Sequence, residues 1–296
     1  EPAAGRSASQ ERAARRKRGS GGRGGDRKPA RQRTGETAKR VAFALPWIAF
    51  AIAIVVAGGP IFALAMVGIG ALCLREFFAV VGLNLPARVP AYLAIAGLVT
   101  AAYFGDSFQV LLVFIATMPL LFAFGLSRES GGLFSALTIG IFAVAWIGLP
   151  LAHAVFLREL PLHGAALLIN VLVGTFVSDT AAYVTGRMFG HRRIFPRISP
   201  NKTLEGLIGG FLIGALSVWF AGLYQDWLSG TDALLMGLAI AATAPIGDLF
   251  ESAIKRDLKV KDTGRIFGPH GGILDRLDAI LFTVVVGYYI SLTLVY

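Results

Sequence analysis

Between Asp248 and Asp278 the chain gathers groups that can bind both cations and anions. The segment Ser252–Asp278 reads Ser-Ala-Ile-Lys-Arg-Asp-Leu-Lys-Val-Lys-Asp-Thr-Gly-Arg-Ile-Phe-Gly-Pro-His-Gly-Gly-Ile-Leu-Asp-Arg-Leu-Asp and lies between two apolar runs. Carboxylates at Asp248, Asp275 and Asp278 supply the oxygen ligands that Mg²⁺ prefers. Lys255, Arg256, Lys259, Lys261, Arg265 and Arg276 can meet phosphate oxygens. Gly264, Gly268, Gly271 and Gly272 let backbone N–H groups approach an anion closely. These residue types together suit a metal-bound polyphosphate. Asp248 and Asp275 are the first candidates for the metal; Asp278, Asp262 and Glu251 stand behind them. For each, an ordinary helix-end charge is the plain alternative. His270 precedes Gly271-Gly272 and suits a metal, an acid–base step, a phosphate contact or a loop-orienting hydrogen bond.

Two further stretches carry similar groups. Ser199-Pro200-Asn201-Lys202-Thr203-Leu204-Glu205-Gly206 opens an apolar run. A helix N-terminus beside Lys202 suits a phosphate, although a plain helix start with a solvated lysine reads equally well. Ser199 or Asn201 is the expected cap, with Pro200 near the first turn. Asp179 sits in Val-Ser-Asp-Thr-Ala-Ala-Tyr, inside another apolar run. A carboxylate there is costly, about 2.5–3.5 kcal/mol at mid-helix on insertion scales. It either faces a polar cavity or pairs with a neighbouring Arg or Tyr. Arg75 and Glu76 read as a structural or interfacial pair.

The elements that hold these residues follow from hydropathy. Mean hydropathy is +0.66 and 55% of residues are hydrophobic, which excludes an ordinary soluble domain. A spanning helix needs about twenty mostly apolar residues. That rule predicts an all-α polytopic membrane protein with about nine spans. They fall near Val41–Gly58, Pro60–Val81, Val89–Phe104, Phe108–Leu126, Gly132–Leu151, Leu162–Gly186, Leu204–Tyr224, Ala233–Ile254 and Ala279–Tyr296. In a helix, Asp248, Glu251, Ser252 and Lys255 share one face. The polar stretch Lys255–Asp278 then forms a loop at the bilayer edge.

Charge sets the orientation. Residues 1–40 hold thirteen Lys/Arg against four Asp/Glu and few large apolar side chains. They read as a disordered basic cytoplasmic tail. Without interleaved aromatics it is not a nucleic-acid arm, and anionic lipid headgroups are its simpler partner. With that tail in the cytoplasm, the cytoplasmic connections carry Arg88, Arg128, the Arg187–Lys202 group and the Lys255–Arg276 group. The other side carries Arg158 alone, as the positive-inside rule requires. Residues 41–160 form the N-terminal membrane helices, and 161–296 carry both polar loops. Cys73, the single cysteine, falls in an apolar run and reads as a small buried hydrophobe.

The pattern S-x-I-K-R, four residues, K-D-x-G, two residues, F-G-x-H-G-G, two residues, D-R-x-D resembles the signature of the phosphatidate cytidylyltransferases, also called CDP-diacylglycerol synthases. Asp179 with Ala-Tyr and the later Gly186-Arg187, and the Ser-Pro-x-Lys-Thr-x-Glu-Gly block, resemble two other elements of that family. Asn201 stands where a second lysine is common, a departure that weakens a phosphate role at that position but not at Lys202. The resemblance is strongest over Asn170–Asp278.

It implies transfer of CMP from CTP to phosphatidate, giving CDP-diacylglycerol and pyrophosphate, with Mg²⁺ and room for a second cation. Asp179, Lys202, Lys255, Arg256, Lys261 and His270 become the catalytic candidates. Ser199, Asn201, Lys202, Thr203, Gly271, Gly272 and Arg276 become the substrate contacts, and Asp248, Asp275 and Asp278 the metal ligands. The implied partners are CTP, phosphatidate and bilayer lipids, with room for a homodimer and no nucleic acid. The implied location is the inner cell membrane, with the site facing the cytoplasm. Rival readings are a CTP-dependent polyprenol or lipid kinase and an anionic-solute transporter.

Overall fold

The computed structural model describes residues 49–82, 85–125, 132–264 and 271–296. The basic tail, residues 41–48 of the first expected span, Arg128, Arg265, Gly268 and His270 lie outside the described residues. Ile52–Tyr296 form one compact unit. Its main helices are α1 (Gly59–Val81), α2 (Leu85–Phe104), α3 (Ser107–Gly125), α4 (Leu133–Arg158), α5 (Gly164–Phe189), α6 (Leu204–Gly222), α7 (Gly230–Asp257) and α8 (Leu274–Leu294). All except α2 are long and apolar enough to cross a membrane; the apolar part of α2 runs from Arg88 to Phe104. Among the described residues there is no strand, only an isolated bridge between Arg193 and Thr203. The protein is an all-α, multi-pass membrane protein.

Helices replace part of what hydropathy assigned to loops. α7 continues to Asp257 and α8 begins at Leu274, so the polar stretch is helical at both ends. Lys255 and Arg256 occupy the last turn of α7, and Asp275 the first turn of α8. Those signs complement the helix dipoles, which lets charged residues prolong the helices beyond their apolar windows. α4 likewise runs past Leu151 to Arg158. It contains a π turn over Val144–Gly148, directly ahead of Pro150. The wider turn absorbs the donor that proline lacks. At the far end of α4, Arg158 donates from Nε to Val55 O at 2.5 Å and from Nη2 to Val56 O at 3.3 Å. It thereby satisfies carbonyls at the end of the helical stretch 49–57.

Close approach of α5 and α6 places the first polar groups. A Cβ on Gly206 would sit 2.7 Å from Ala182 O, one on Gly210 2.8 Å from Ser178 O, and one on Gly214 2.8 Å from Ser178 Cβ. This spacing of four gives α6 a flat face against the turns that flank Asp179, as in other small-residue membrane interfaces. α6 packs on α7 and α7 on α8, while α8 also packs against α4.

An aromatic cluster ties the N-terminal helices to this group. Phe250 of α7 lies 5.3 Å from Trp146 and 6.1 Å from Phe142 of α4, and 5.2 Å from Phe282 of α8, between ring centroids. An apolar cavity of about 390 Å³ opens beside these rings, with Thr243, Leu281 and Val286 also in its wall.

Candidate active site

Pairwise contacts join the ends of five helices: Glu76 of α1 to Leu274 of α8, Lys255 of α7 to Asp275 of α8, Arg256 of α7 to Ile198 ahead of α6, and Gly186 of α5 to the Thr203–Gly206 turn. The turn before α6 is fixed by its backbone. Leu204 N donates to Arg192 O at 2.9 Å, and Ile194 N to Lys202 O at 3.2 Å. Thr203 is the N-cap: its hydroxyl accepts from Gly206 N at 3.2 Å. The expected cap at Ser199 or Asn201 is therefore corrected. Thr203 caps without a capping-box partner because the N3 position is Gly206; Glu205, one position earlier, accepts from His191 N at 3.1 Å and Arg192 N at 3.3 Å. Ser199 and Asn201 belong to the preceding turn, where Ser199 N donates to Phe195 O at 2.8 Å and Asn201 is exposed.

This turn aims Lys202 at α7. Lys202 Nζ lies 2.7 Å from Asp248 Oδ2, with both side chains partly accessible, at 25% and 35%. Ser252 Oγ donates to Asp248 Oδ1 at 3.2 Å, one turn along the same face. Further along that face, Lys255 Nζ reaches Glu251 Oε2 at 3.1 Å and Asp275 Oδ1 at 2.9 Å. The expected helical face Asp248–Glu251–Ser252–Lys255 is present. Arg256 turns away and donates from Nε to Ile198 O at 3.2 Å, docking the two polar loops together.

Asp275 is the most completely bonded carboxylate of the site. Besides Lys255, it accepts from Gly272 N at 2.7 Å and from Thr263 N at 3.1 and 3.2 Å. Gly271 makes this possible: its φ is +89°, and a Cβ there would sit 2.9 Å from Asp275 Oδ2. That position requires glycine on both counts. Asp278 accepts from Ala279 N at 2.8 Å and lies within electrostatic reach of Asp248 and Glu251. Asp179 is within reach of Asp278, Asp248 and Lys202 but forms no ion pair among the described residues. Its neighbour Tyr183 is used by Arg187, which donates to the phenol oxygen at 3.0 Å. Lys261 and Arg276 are exposed at the rim.

The charge balance of this cluster states what it can bind. Five carboxylates (Asp179, Asp248, Glu251, Asp275, Asp278) face two ammonium groups (Lys202, Lys255). Clustered carboxylates of this kind offer oxygen ligands to a hard cation at the membrane edge. Among the described residues no three carboxylate or imidazole groups converge into a cage. Mg²⁺ does not need one: it keeps several waters and binds through one or two carboxylates plus phosphate oxygens. The donor set fits that ion. Asp248 is more open than Asp275, 35% against 8% accessible, and Asp275 is already committed to Lys255 and the loop.

One residue of the site escaped the sequence reading. Glu76 does not act as an interfacial partner of its neighbour Arg75: its side chain is buried, and Oε2 accepts from Leu274 N at 3.0 Å. A single carboxylate 198 positions away in sequence carries no spacing signal that would link it to Leu274.

The fold and these contacts together define a polytopic membrane protein whose helices bring carboxylates and ammonium groups into one cluster. Residues 38–294 match the family model described as the cytidylyltransferase family, and the chain belongs to that family. It is 41% identical over 159 residues to the phosphatidate cytidylyltransferase of Thermotoga maritima, covering 52% of this chain and 59% of the relative. It is 37% identical over 149 residues to that of Bacillus subtilis, covering 50% and 55%. It is 42% identical over 143 residues to the uncharacterized protein YnbB of Escherichia coli, covering 47% and 48%. The chain spans about half the length of the relatives it matches.

Proposed function

We propose that this protein is a phosphatidate cytidylyltransferase, converting CTP and phosphatidate to CDP-diacylglycerol and pyrophosphate. The observation that carries this reading is the meeting of two lysine–aspartate pairs, Lys202–Asp248 and Lys255–Asp275, at one end of apolar spans. The signature residues from Ser252 to Asp278 and the names of the relatives support it. The phosphate of phosphatidate attacks the α-phosphorus of CTP, a new P–O bond forms, and the bond to pyrophosphate breaks. The nucleophile is already an anion, so no covalent enzyme intermediate is required.

Lys202 and Lys255 neutralise the phosphates and orient them for in-line attack. Lys261 and Arg276 attract the nucleotide at the rim. Asp248 and Asp278 are the residues that would hold Mg²⁺, with Asp275 fixing Lys255 beside them. When bound, the ion neutralises phosphate charge and aligns the reacting oxygens. The apolar cavity beside Phe250 gives an acyl chain a place next to the polar groups.

Incubating the purified protein with labelled CTP, Mg²⁺ and phosphatidate is expected to yield CDP-lipid and pyrophosphate in equal amounts. CDP and a phosphorylated lipid would instead identify a lipid kinase. No turnover, with anion uptake into proteoliposomes, would identify a transporter.

We further infer that the protein sits in the inner cell membrane with its site facing the cytoplasm, because the polar loops carry most of the basic residues between the spans. Cys73 is buried and is the only cysteine, so it gives a quiet labelling background. A cysteine placed at the exposed Lys261 is expected to resist an impermeant thiol reagent in intact cells and to react after permeabilisation. Labelling of intact cells would reverse the orientation.

A further inference from the structure

The described polar groups of the site come from α5–α8 and their connections, with one exception, and that exception is buried beneath the start of α8. Glu76 lies in the penultimate turn of α1 and is 5% exposed. Its Oε2 accepts from Leu274 N, which opens α8. Two glycines close on the same carboxylate. A Cβ on Gly264 would fall 2.1 Å from Glu76 Oε1, and one on Gly272 2.3 Å from Oε2. Both glycines are therefore needed for contact with Glu76, whatever else they do. The next link is direct: Gly272 N donates to Asp275 Oδ2, and Asp275 Oδ1 holds Lys255.

We propose that Glu76 is a positioning residue for the reaction: it fixes Gly264 and the Gly272–Leu274 turn and, through them, Asp275 and Lys255. This rests on the function proposed above. A buried carboxylate costs several kcal/mol in desolvation unless it is well hydrogen-bonded, so its presence here needs a return in structure. The hydrogen bond from Leu274 N and the close approach of Gly264 and Gly272 supply one: they tie α1 to the start of α8. The N-terminal helices then contribute to the site itself.

Three variants separate this from general stabilisation. Glu76→Gln keeps side-chain length and one acceptor oxygen, and is expected to retain turnover within about threefold. Glu76→Asp is one methylene too short to reach Leu274 N. Asp and Ala variants are expected to lose tenfold or more in kcat, with KM for phosphatidate unchanged. Hydrogen–deuterium exchange supplies a readout that needs no substrate. In the Ala variant the amides of Thr263, Gly272 and Leu274 are expected to exchange at least tenfold faster, while those of α5 and α6 stay protected.

Faster exchange across the whole chain, or an unchanged kcat in a folded Ala variant, would overturn the proposal. So would an inactive Gln variant beside an active Asp variant, which would make the charge itself essential. If wild type makes no CDP-lipid yet exchange at these amides still depends on Glu76, the functional reading fails and the bracing of the turn stands.

Discussion

Asp275→Asn is expected to lower turnover by about a hundredfold or more and to destabilise the protein as well. The reasoning is an inventory of donors. Lys255 Nζ, Gly272 N and Thr263 N all converge on this one carboxylate, whose side chain is 8% accessible. A carboxylate accepts on two oxygens; an amide accepts on one and presents N–H groups on the other. Whichever way the substituted amide turns, its NH₂ faces either an ammonium or a backbone N–H. Removing one partner of a buried pair costs about 3–5 kcal/mol. Misplacing Lys255 removes a charge contact of the kind worth about 2.7–4 kcal/mol in a transition state, which is the hundredfold or more.

Lys255→Met combined with Asp275→Asn is expected to be far less damaging than the product of the two single effects, since both act on one pair. Thermal melts and kcat of the three variants in detergent make the test. An Asn variant that melts like wild type and turns over within a few-fold of it would show that Asp275 is a plain helix-end charge.

The polar cluster was legible in the sequence because most of its residues sit close together. Asp248, Glu251, Ser252 and Lys255 declare a helix face by their spacing alone, and the structure keeps that face. Hydropathy located the spans, since lipid tolerates only long apolar helices. It misplaced their ends where charges sit favourably on helix dipoles, at Lys255–Asp257 and at Leu274–Asp278. Asp275 looked like a free metal ligand because backbone donors from Thr263 and Gly272 cannot be read from residue types. Thr203 was passed over as a cap because Glu205 is not at the position a capping box needs; the hydroxyl caps without one. Glu76 was illegible for a different reason. Its partner is a backbone N–H almost two hundred residues later, and a backbone group leaves no trace in composition or spacing.

Lys202 and Asp248 should show the opposite balance of effects from Asp275. Their side chains remain 25% and 35% accessible, although the Lys202 ammonium itself is buried, and an ion pair at the edge of solvent contributes only about 1 kcal/mol of stability. Lys202→Met and Asp248→Asn are therefore expected to insert, purify and melt within a few degrees of wild type. Turnover should still fall by about a hundredfold or more in each, if the ammonium meets a phosphate and the carboxylate a cation. The two losses should differ in kind. Asp248→Asn removes one negative charge from the acidic group and is expected to raise the Mg²⁺ concentration for half-maximal turnover, so added Mg²⁺ recovers part of the rate. Lys202→Met leaves that group more negative, and the Mg²⁺ requirement should not rise; its loss should appear in KM for CTP and in kcat. Mg²⁺ titrations of initial rate for wild type and both variants make the comparison. Equal Mg²⁺ dependence in all three proteins, with near-wild-type rates, would reduce this pair to a surface ion pair and leave Asp278 and Asp179 as the carboxylates to test next.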